Sequence, residues 1–263
     1  MNYPAILSNI VTILQATGSA VGAYLSGSLV NEHQDDFSDI DLGIVSQNNA
    51  KAFKEVFSLR ERLIQAAGHP IHFLEREWDH CRMIAALYSK SQFSPIGLEI
   101  DMIFSQLQYV SEQMPYASYQ VIFDRNGELQ AALNRMSQLK PAREIENELA
   151  QHLRWFPFYV HDALKADKRN DVFQLQALLE EIRKLIFFGA AVRQGEQVFG
   201  AKRAYRYLSP IEYQIVEDSY HHSDEKTIGQ LVKLYLANLD EIGRRYQIAE
   251  DVGRVRIMIR ELL

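Results

Sequence analysis

Two short apolar stretches joined by a polar loop constrain this chain more than any other feature. The first stretch ends at Gly27-Ser28, and the second, residues 39–45, alternates apolar residues with positions that include Asp39 and Asp41. Successive side chains on a strand point to opposite faces, so this alternation predicts a strand with its apolar residues against a core. The two aspartates would then share the other face, side by side.

Carboxylates this close together repel each other unless they are protonated or bridged by a cation. Hard divalent ions such as Mg²⁺ take such oxygen ligands together with the phosphate oxygens of a substrate. Gly27 has no Cβ to obstruct a phosphate near the backbone, and Ser28 supplies a hydroxyl and an amide to hold it. The stretch therefore favours a metal and nucleotide site. The plain alternative is a solvent-facing strand with two chance aspartates, although aspartate is disfavoured in strands.

A later stretch repeats the alternation. In residues 98–104 the apolar side chains fall on one face of a predicted strand, and Glu99 and Asp101 fall on the other. If this strand neighbours the first, a third carboxylate reaches the metal and can accept the proton of an attacking hydroxyl. Two ions about 3.5–4 Å apart would then hold the attacking and leaving oxygens of an in-line displacement. An exposed edge-strand face is the alternative for this stretch.

The order apolar residue, Gly-Ser, spacer, Asp-apolar-Asp-apolar resembles the signature of the nucleotidyltransferase superfamily, which includes DNA polymerase beta and the antibiotic nucleotidyltransferases. The resemblance implies that Asp39 and Asp41 bind Mg²⁺, two ions in all. It also implies that Gly27, Ser28 and Ser38 bind the nucleotide, ATP or another nucleoside triphosphate.

The third acid of the superfamily has two forms, and both occur here. An apolar-Asp-apolar-apolar pattern fits Asp101, whereas a Glu-apolar-x-apolar pattern, similar to the aminoglycoside and lincosamide enzymes, fits Glu99. The shorter side chain of Asp101 matches its two partners, which favours Asp101 as metal ligand and general base. Glu99 stays open as the alternative.

Composition bounds the class of protein. The chain has 263 residues, of which 47% are hydrophobic and 24% charged, as expected of a soluble globular protein with two modest domains. No apolar run approaches the roughly 20 residues that a membrane helix needs, so no membrane partner is expected. The single Cys81 cannot form an intrachain disulfide, which fits the cytoplasm. A net charge of −6 argues against binding long nucleic acid.

The pattern changes near Lys140-Pro141, where a boundary is expected. Before it, strands are predicted at 70–74, 83–88 and 119–123, with a helix at 5–14, another at 49–67 and a polar turn or short helix at 75–80. After it, helical spacing continues through 144–166, 171–194, 209–220, 224–247 and 251–263. The predicted fold class is α+β, with a mixed-sheet nucleotidyltransferase domain at 1–140 and an all-helical domain at 141–263 that binds substrate and nucleotide.

The helical half offers cations for a triphosphate. Lys202 and Arg203, with Arg206 less favoured, are clustered within two predicted helical turns, and the antibiotic enzymes that the chain resembles neutralise phosphates from this half. A solvated helix face is the alternative for this cluster. For the aromatic group 155–159, core packing is favoured, with one or two rings left to stack on a base or an acceptor.

The resemblance implies transfer of AMP from ATP to a hydroxyl of a small antibiotic-type acceptor, such as a lincosamide or aminoglycoside, with release of pyrophosphate. A homodimer would follow by analogy. Two rivals stay open. One is a nucleotidyltransferase that acts on a protein hydroxyl, against which the large second half counts. The other is a nucleotide-binding interaction protein without turnover, which the intact carboxylates disfavour.

Overall fold

The computed structural model describes residues 3–30, 38–90, 96–113, 118–135, 141–196 and 201–263. The chain divides into two compact units, Met1–Leu139 and Lys140–Leu263. Among the described residues, none of the helices is long and apolar enough to cross a lipid bilayer.

The first unit is a mixed sheet with short helices. Its elements are α1 (Tyr3–Gln15), β1 (Ala20–Ser26), β2 (Ile40–Ser46), α2 (Ala50–Ser58), α3 (Arg60–Gln65), β3 (His72–Trp78), β4 (Cys81–Tyr88), β5 (Leu98–Gln106), α4 (Val110–Gln113), β6 (Gln120–Asp124) and α5 (Glu128–Leu133). The six strands lie in the order β3-β4-β5-β2-β1-β6. Only the β2–β5 pair among these is parallel. The predicted mixed sheet is confirmed.

The larger of two hydrophobic clusters in the described part of this unit contains residues of the sheet and of α1. The amphipathic α1 buries Ile6, Ile10 and Leu14, and the alternating apolar residues of β2 and β5 are buried in the same cluster. The hydroxyl of Tyr3 donates a hydrogen bond to the carbonyl oxygen of Ser38 at 2.8 Å. This bond attaches the start of α1 to the residues that lead into β2.

Two sequence predictions about this unit are wrong. The helix expected over 49–67 is divided into α2 and α3 at Leu59, whose amide donates to the carbonyl oxygen of Val56 in a turn between the two helices. The polar turn or short helix expected at 75–80 is instead the second half of β3 and a tight turn into β4. β3 lies at the edge of the sheet, and all seven of its residues are exposed. Its sequence therefore lacks the apolar and polar alternation that marks a half-buried strand.

The second unit is helical, as the sequence predicts. Its elements are α6 (Ala142–Lys168), α7 (Val172–Gln194), a 3₁₀ turn (Ala204–Tyr207), α8 (Pro210–His221), α9 (Glu225–Gly243) and α10 (Ala249–Leu262). Side chains of Asp171, Ser209 and Asp224 accept hydrogen bonds from backbone amides at the starts of α7, α8 and α9. These caps satisfy amides that have no partner inside a helix, which defines where each helix begins.

Candidate active site

The parallel pairing of β2 with β5 brings two carboxylates together. Asp41 and Asp101 are Cα partners in this pairing, and their neighbours Leu42 and Met102 are partners in turn. Residues directly opposite each other on paired strands project from the same face of the sheet. Both aspartates are half-buried, whereas Leu42 and Met102 are buried on the core side. The two predicted strands that carry acidic residues are therefore neighbours in the sheet.

Asp39 and Glu99 lie one step outside this pairing. The paired register begins with Ile40 opposite Ile100, and each acidic residue immediately precedes one of these two residues. Asp39 is half-buried, while Glu99 is exposed. The structure thus gives Asp101, and not Glu99, the position directly opposite an aspartate of β2.

The backbone at Gly27 lies against the same aspartate. Ser26, the last residue of β1, is the Cα partner of Asp41, and a 3₁₀ turn over Gly27–Leu29 follows. Gly27 has a φ of +68°, and a Cβ built there would lie 1.9 Å from Oδ2 of Asp41. A side chain at position 27 would therefore occupy the space of the carboxylate. Ser28 lies in the same turn and is half-buried.

Ser38, the third predicted nucleotide-binding residue, is buried with 3% of its surface exposed. Its carbonyl oxygen accepts the bond from Tyr3 described above. The polar loop residues Asn31, Glu32, His33, Asp35 and Asp36 lie outside the described residues. Ser38 is therefore the described residue closest in sequence to Asp39 on the loop side.

The chemistry of these donors suits a hard divalent cation. Carboxylate oxygens are the ligands that Mg²⁺ prefers, and Asp41 and Asp101 present them from adjacent strands. Within the parts of the chain that the structure describes, no three His, Cys, Asp or Glu side chains form a group that could hold a metal ion. The donor types suit Mg²⁺ at the opposed pair Asp41 and Asp101, and Asp39 lies immediately before β2.

The cation cluster of the second unit is not the helix that its spacing suggested. Lys202 is exposed in a turn, and Arg203 has a φ of +59° just before the 3₁₀ turn Ala204–Tyr207. Residues 197–200 lie outside the described part of the chain. Lys202 and Arg203 therefore lie in a turn and not on a helix face.

The aromatic group on α6 is only partly core. Phe156 is fully buried against Tyr235, with 4.5 Å between ring centroids, but Trp155 and Phe158 are 53% and 61% exposed. Core packing was expected for most of this group, with one or two rings left outside the core; Phe156 is core, and Trp155 and Phe158 are exposed. Trp155 and Tyr159 line a cavity of about 390 Å³ between α6 and α7, whose other lining residues are Gln151, His152, Glu181, Lys184, Leu185 and Phe188. The sequence missed this cavity because its lining comes from two helices.

Residues 8–92 match the family model described as Polymerase beta, Nucleotidyltransferase, a range that contains Gly27, Ser28, Ser38, Asp39 and Asp41. No curated protein sequence matches the chain significantly. One similar solved structure is an aminoglycoside 6-adenyltransferase from Bacillus subtilis, with 13% identity, a TM-score of 0.39, and coverage of 96% of this chain and 95% of that one. Another is a nucleotidyltransferase-like protein from Exiguobacterium sibiricum 255-15, with 12% identity, a TM-score of 0.44, and coverage of 92% and 78%.

Proposed function

We propose a reaction for this chain from the premise that residues 8–92 are a nucleotidyltransferase domain of the polymerase beta type, which makes the chain a transferase enzyme. In this reaction AMP passes from ATP to a hydroxyl of a small antibiotic-type acceptor, such as a lincosamide or aminoglycoside. The acceptor oxygen forms a bond to the α-phosphorus, the bond from that phosphorus to the bridging oxygen breaks, and pyrophosphate leaves.

One observation carries the proposal, namely that Asp41 and Asp101 stand opposite each other on adjacent parallel strands. Like charges directly opposite on paired strands repel, and a cation bound between the two carboxylates would offset that repulsion. The opposed pair Asp41 and Asp101 would hold Mg²⁺, and the sequence motif assigns Asp39 as a further ligand. When bound, Mg²⁺ supplies positive charge for the triphosphate and for the in-line displacement.

Asp101 is the proposed general base. It is half-buried beside Asp41, so the proton of the acceptor hydroxyl would pass to a carboxylate that is already at the reacting end of the site. Glu99 remains the alternative base, but its exposed position on the strand makes it the weaker candidate.

The chain also contributes phosphate-binding groups in this proposal. The backbone of Gly27 with the hydroxyl and amide of Ser28 would bind the β- and γ-phosphates, with Ser38 beside them. Lys202 and Arg203 would neutralise the departing pyrophosphate, a role that rests on the chemistry of ammonium and guanidinium groups with phosphate. A cytoplasmic location and a homodimer stay predictions from the sequence.

The decisive experiment is a transfer assay with ATP labelled in the α-phosphate and a panel of lincosamides, aminoglycosides and other polyhydroxy compounds. The proposal expects a labelled acceptor and an equal amount of pyrophosphate. It also expects Asp39→Asn and Asp41→Asn each to lower turnover by about 10³-fold or more while the fold is kept. Unaltered turnover in both variants would reject the proposal.

The same assay separates the two rivals. Label that moves onto protein instead of a small acceptor supports a protein-modifying enzyme. Calorimetric binding of MgATP, with no pyrophosphate released from ATP in the presence of any acceptor, supports a nucleotide-binding protein without turnover.

A further inference from the structure

A single arginine near the end of α7 connects several parts of the helical unit. Arg193 donates hydrogen bonds to both carboxylate oxygens of Glu212, at 2.9 and 2.8 Å, and to Oδ1 of Asn238 at 2.7 Å. It also reaches Oε2 of Glu241 and the carbonyl oxygen of Tyr207, both at 3.4 Å. The guanidinium therefore links α7 to α8, to α9 and to the 3₁₀ turn Ala204–Tyr207.

The Tyr207 carbonyl receives a second bond from the same helix. Nε2 of Gln194 donates to it at 2.8 Å. At the other end of the turn, Ala204 is buried in the core with 2% exposure. The turn is thus held to the helical unit at both ends. Lys202 and Arg203 directly precede the turn, so these contacts also restrict their backbone.

Arg203 adds evidence that this backbone is held in place. Its φ of +59° is a left-handed conformation that costs a residue with a Cβ about 1–2 kcal/mol. Such a conformation persists when surrounding contacts determine it. The bonds from Arg193 and Gln194 and the burial of Ala204 are contacts of this kind.

We propose that Arg193 is a positioning residue that sets the backbone carrying Lys202 and Arg203 for binding a nucleoside triphosphate. The inference rests on the proposed function, because it assigns those two cations to the phosphates. Arg193 acts through them and not on the ligand, since its guanidinium is committed to Glu212 and Asn238 and only 20% of its side chain is exposed.

The experiment measures the affinity of the full chain for MgATP and for AMP by calorimetry. AMP lacks the β- and γ-phosphates that Lys202 and Arg203 would contact. We expect Lys202→Ala/Arg203→Ala and Arg193→Lys each to weaken MgATP binding by about tenfold and to change AMP binding by less than about twofold. When Arg193→Lys is added to the Lys202→Ala/Arg203→Ala variant, the further loss of MgATP affinity should be less than about twofold. Arg193 would act on the ligand through these two cations, which are already absent from that variant.

Arg183 on the same helix is the matched control. It is also a buried arginine tied to α8, with 1% of its side chain exposed, but it contacts the other end of that helix through Ser219 and Tyr220. Arg183→Lys should lower the melting temperature and leave the ratio of MgATP to AMP affinity unchanged. Gln194→Ala is a milder second probe at an exposed position, expected to weaken MgATP binding in the same direction.

The outcomes distinguish failure of the inference from failure of the proposed function. If wild-type protein binds no MgATP, both are overturned. If it binds MgATP and the Lys202/Arg203 variant weakens it, but Arg193→Lys and Gln194→Ala lower only the melting temperature, the inference alone is overturned. If the ratio of MgATP to AMP affinity is unaltered in the Lys202→Ala/Arg203→Ala variant, the inference about Arg193 is also overturned.

Discussion

Gly27 lies so close to Asp41 that a Cβ at position 27 would stand 1.9 Å from Oδ2 of the carboxylate. The contact joins the turn after β1 to the side chain that β2 presents. A left-handed φ of +68° and the lack of space both require glycine here. The turn that would bind phosphate and the carboxylate that would bind metal therefore share one surface.

Gly27→Ala tests this relationship. The variant forces the Asp41 carboxylate to move, so we expect MgATP affinity to fall at least about tenfold, together with a stability loss of about 1 kcal/mol from the left-handed backbone. Gly127→Ala is the control, because Gly127 has a φ of +77° and no atom within 4 Å of its Cβ position. It should lose the same stability and no affinity. Equal MgATP affinities in the two variants would contradict the prediction.

The two candidate bases can be separated by amide substitution. Asp101→Asn removes the carboxylate opposite Asp41, so we expect turnover to fall by about 10³-fold or more. Glu99→Gln changes an exposed residue and should stay within about tenfold of wild type. Single-turnover rates with α-labelled ATP measure the difference. The reverse order of effects would assign the role to Glu99.

If the opposed charges of Asp41 and Asp101 repel, removing one of them should stabilise the protein in the absence of metal. Without metal, Asp101→Asn should raise the free energy of unfolding by about 0.5–1 kcal/mol, because it removes one of two opposed charges. Added Mg²⁺ should raise the melting temperature of the wild type but not of the variant. Thermal unfolding in EDTA and in Mg²⁺ measures both. A variant less stable than wild type in EDTA would show that the pair does not repel.

Glu212 predicts a pH dependence of the helical unit. Its burial disfavours the charged form, but hydrogen bonds from Arg193 and from Ser209 outweigh burial and lower the pKa of its carboxyl. A carboxyl with a lower pKa in the folded state stabilises the fold above its unfolded pKa of about 4.3 and loses that contribution as the pH falls through the folded pKa.

Glu212→Gln should therefore be less stable than wild type by about 2–3 kcal/mol at pH 7, and the difference should shrink below about pH 4. Chemical denaturation at a series of pH values between 3 and 7 measures it. Glu217→Gln, on the same helix, is the control, because its half-buried carboxylate accepts a hydrogen bond from the Tyr213 hydroxyl and not from a guanidinium, and it should show no such change. A difference independent of pH would mean that the charge of Glu212 does not contribute.

Local patterns in the sequence were sufficient for much of the fold. The apolar alternation around Asp39, Asp41 and Asp101 predicts β2 and β5, because side-chain direction in a strand depends only on neighbouring residues. The capping residues Asp171, Ser209 and Asp224 predict where three helices begin for the same local reason. Where burial gave no signal, as on the exposed edge strand β3, the prediction was wrong.

The sequence by itself determined that one strand face carries Asp39 and Asp41 after a Gly-Ser turn, and that a second strand carries Glu99 and Asp101. Only the tertiary structure decided that β2 and β5 pair in parallel with Asp41 opposite Asp101, because pairing depends on the packing of residues 60 positions apart in the chain. The tertiary structure likewise decided that Arg193 holds the turn after Lys202 and Arg203. The partners of Arg193 in that network come from two helices and a 3₁₀ turn, and no local sequence period encodes it.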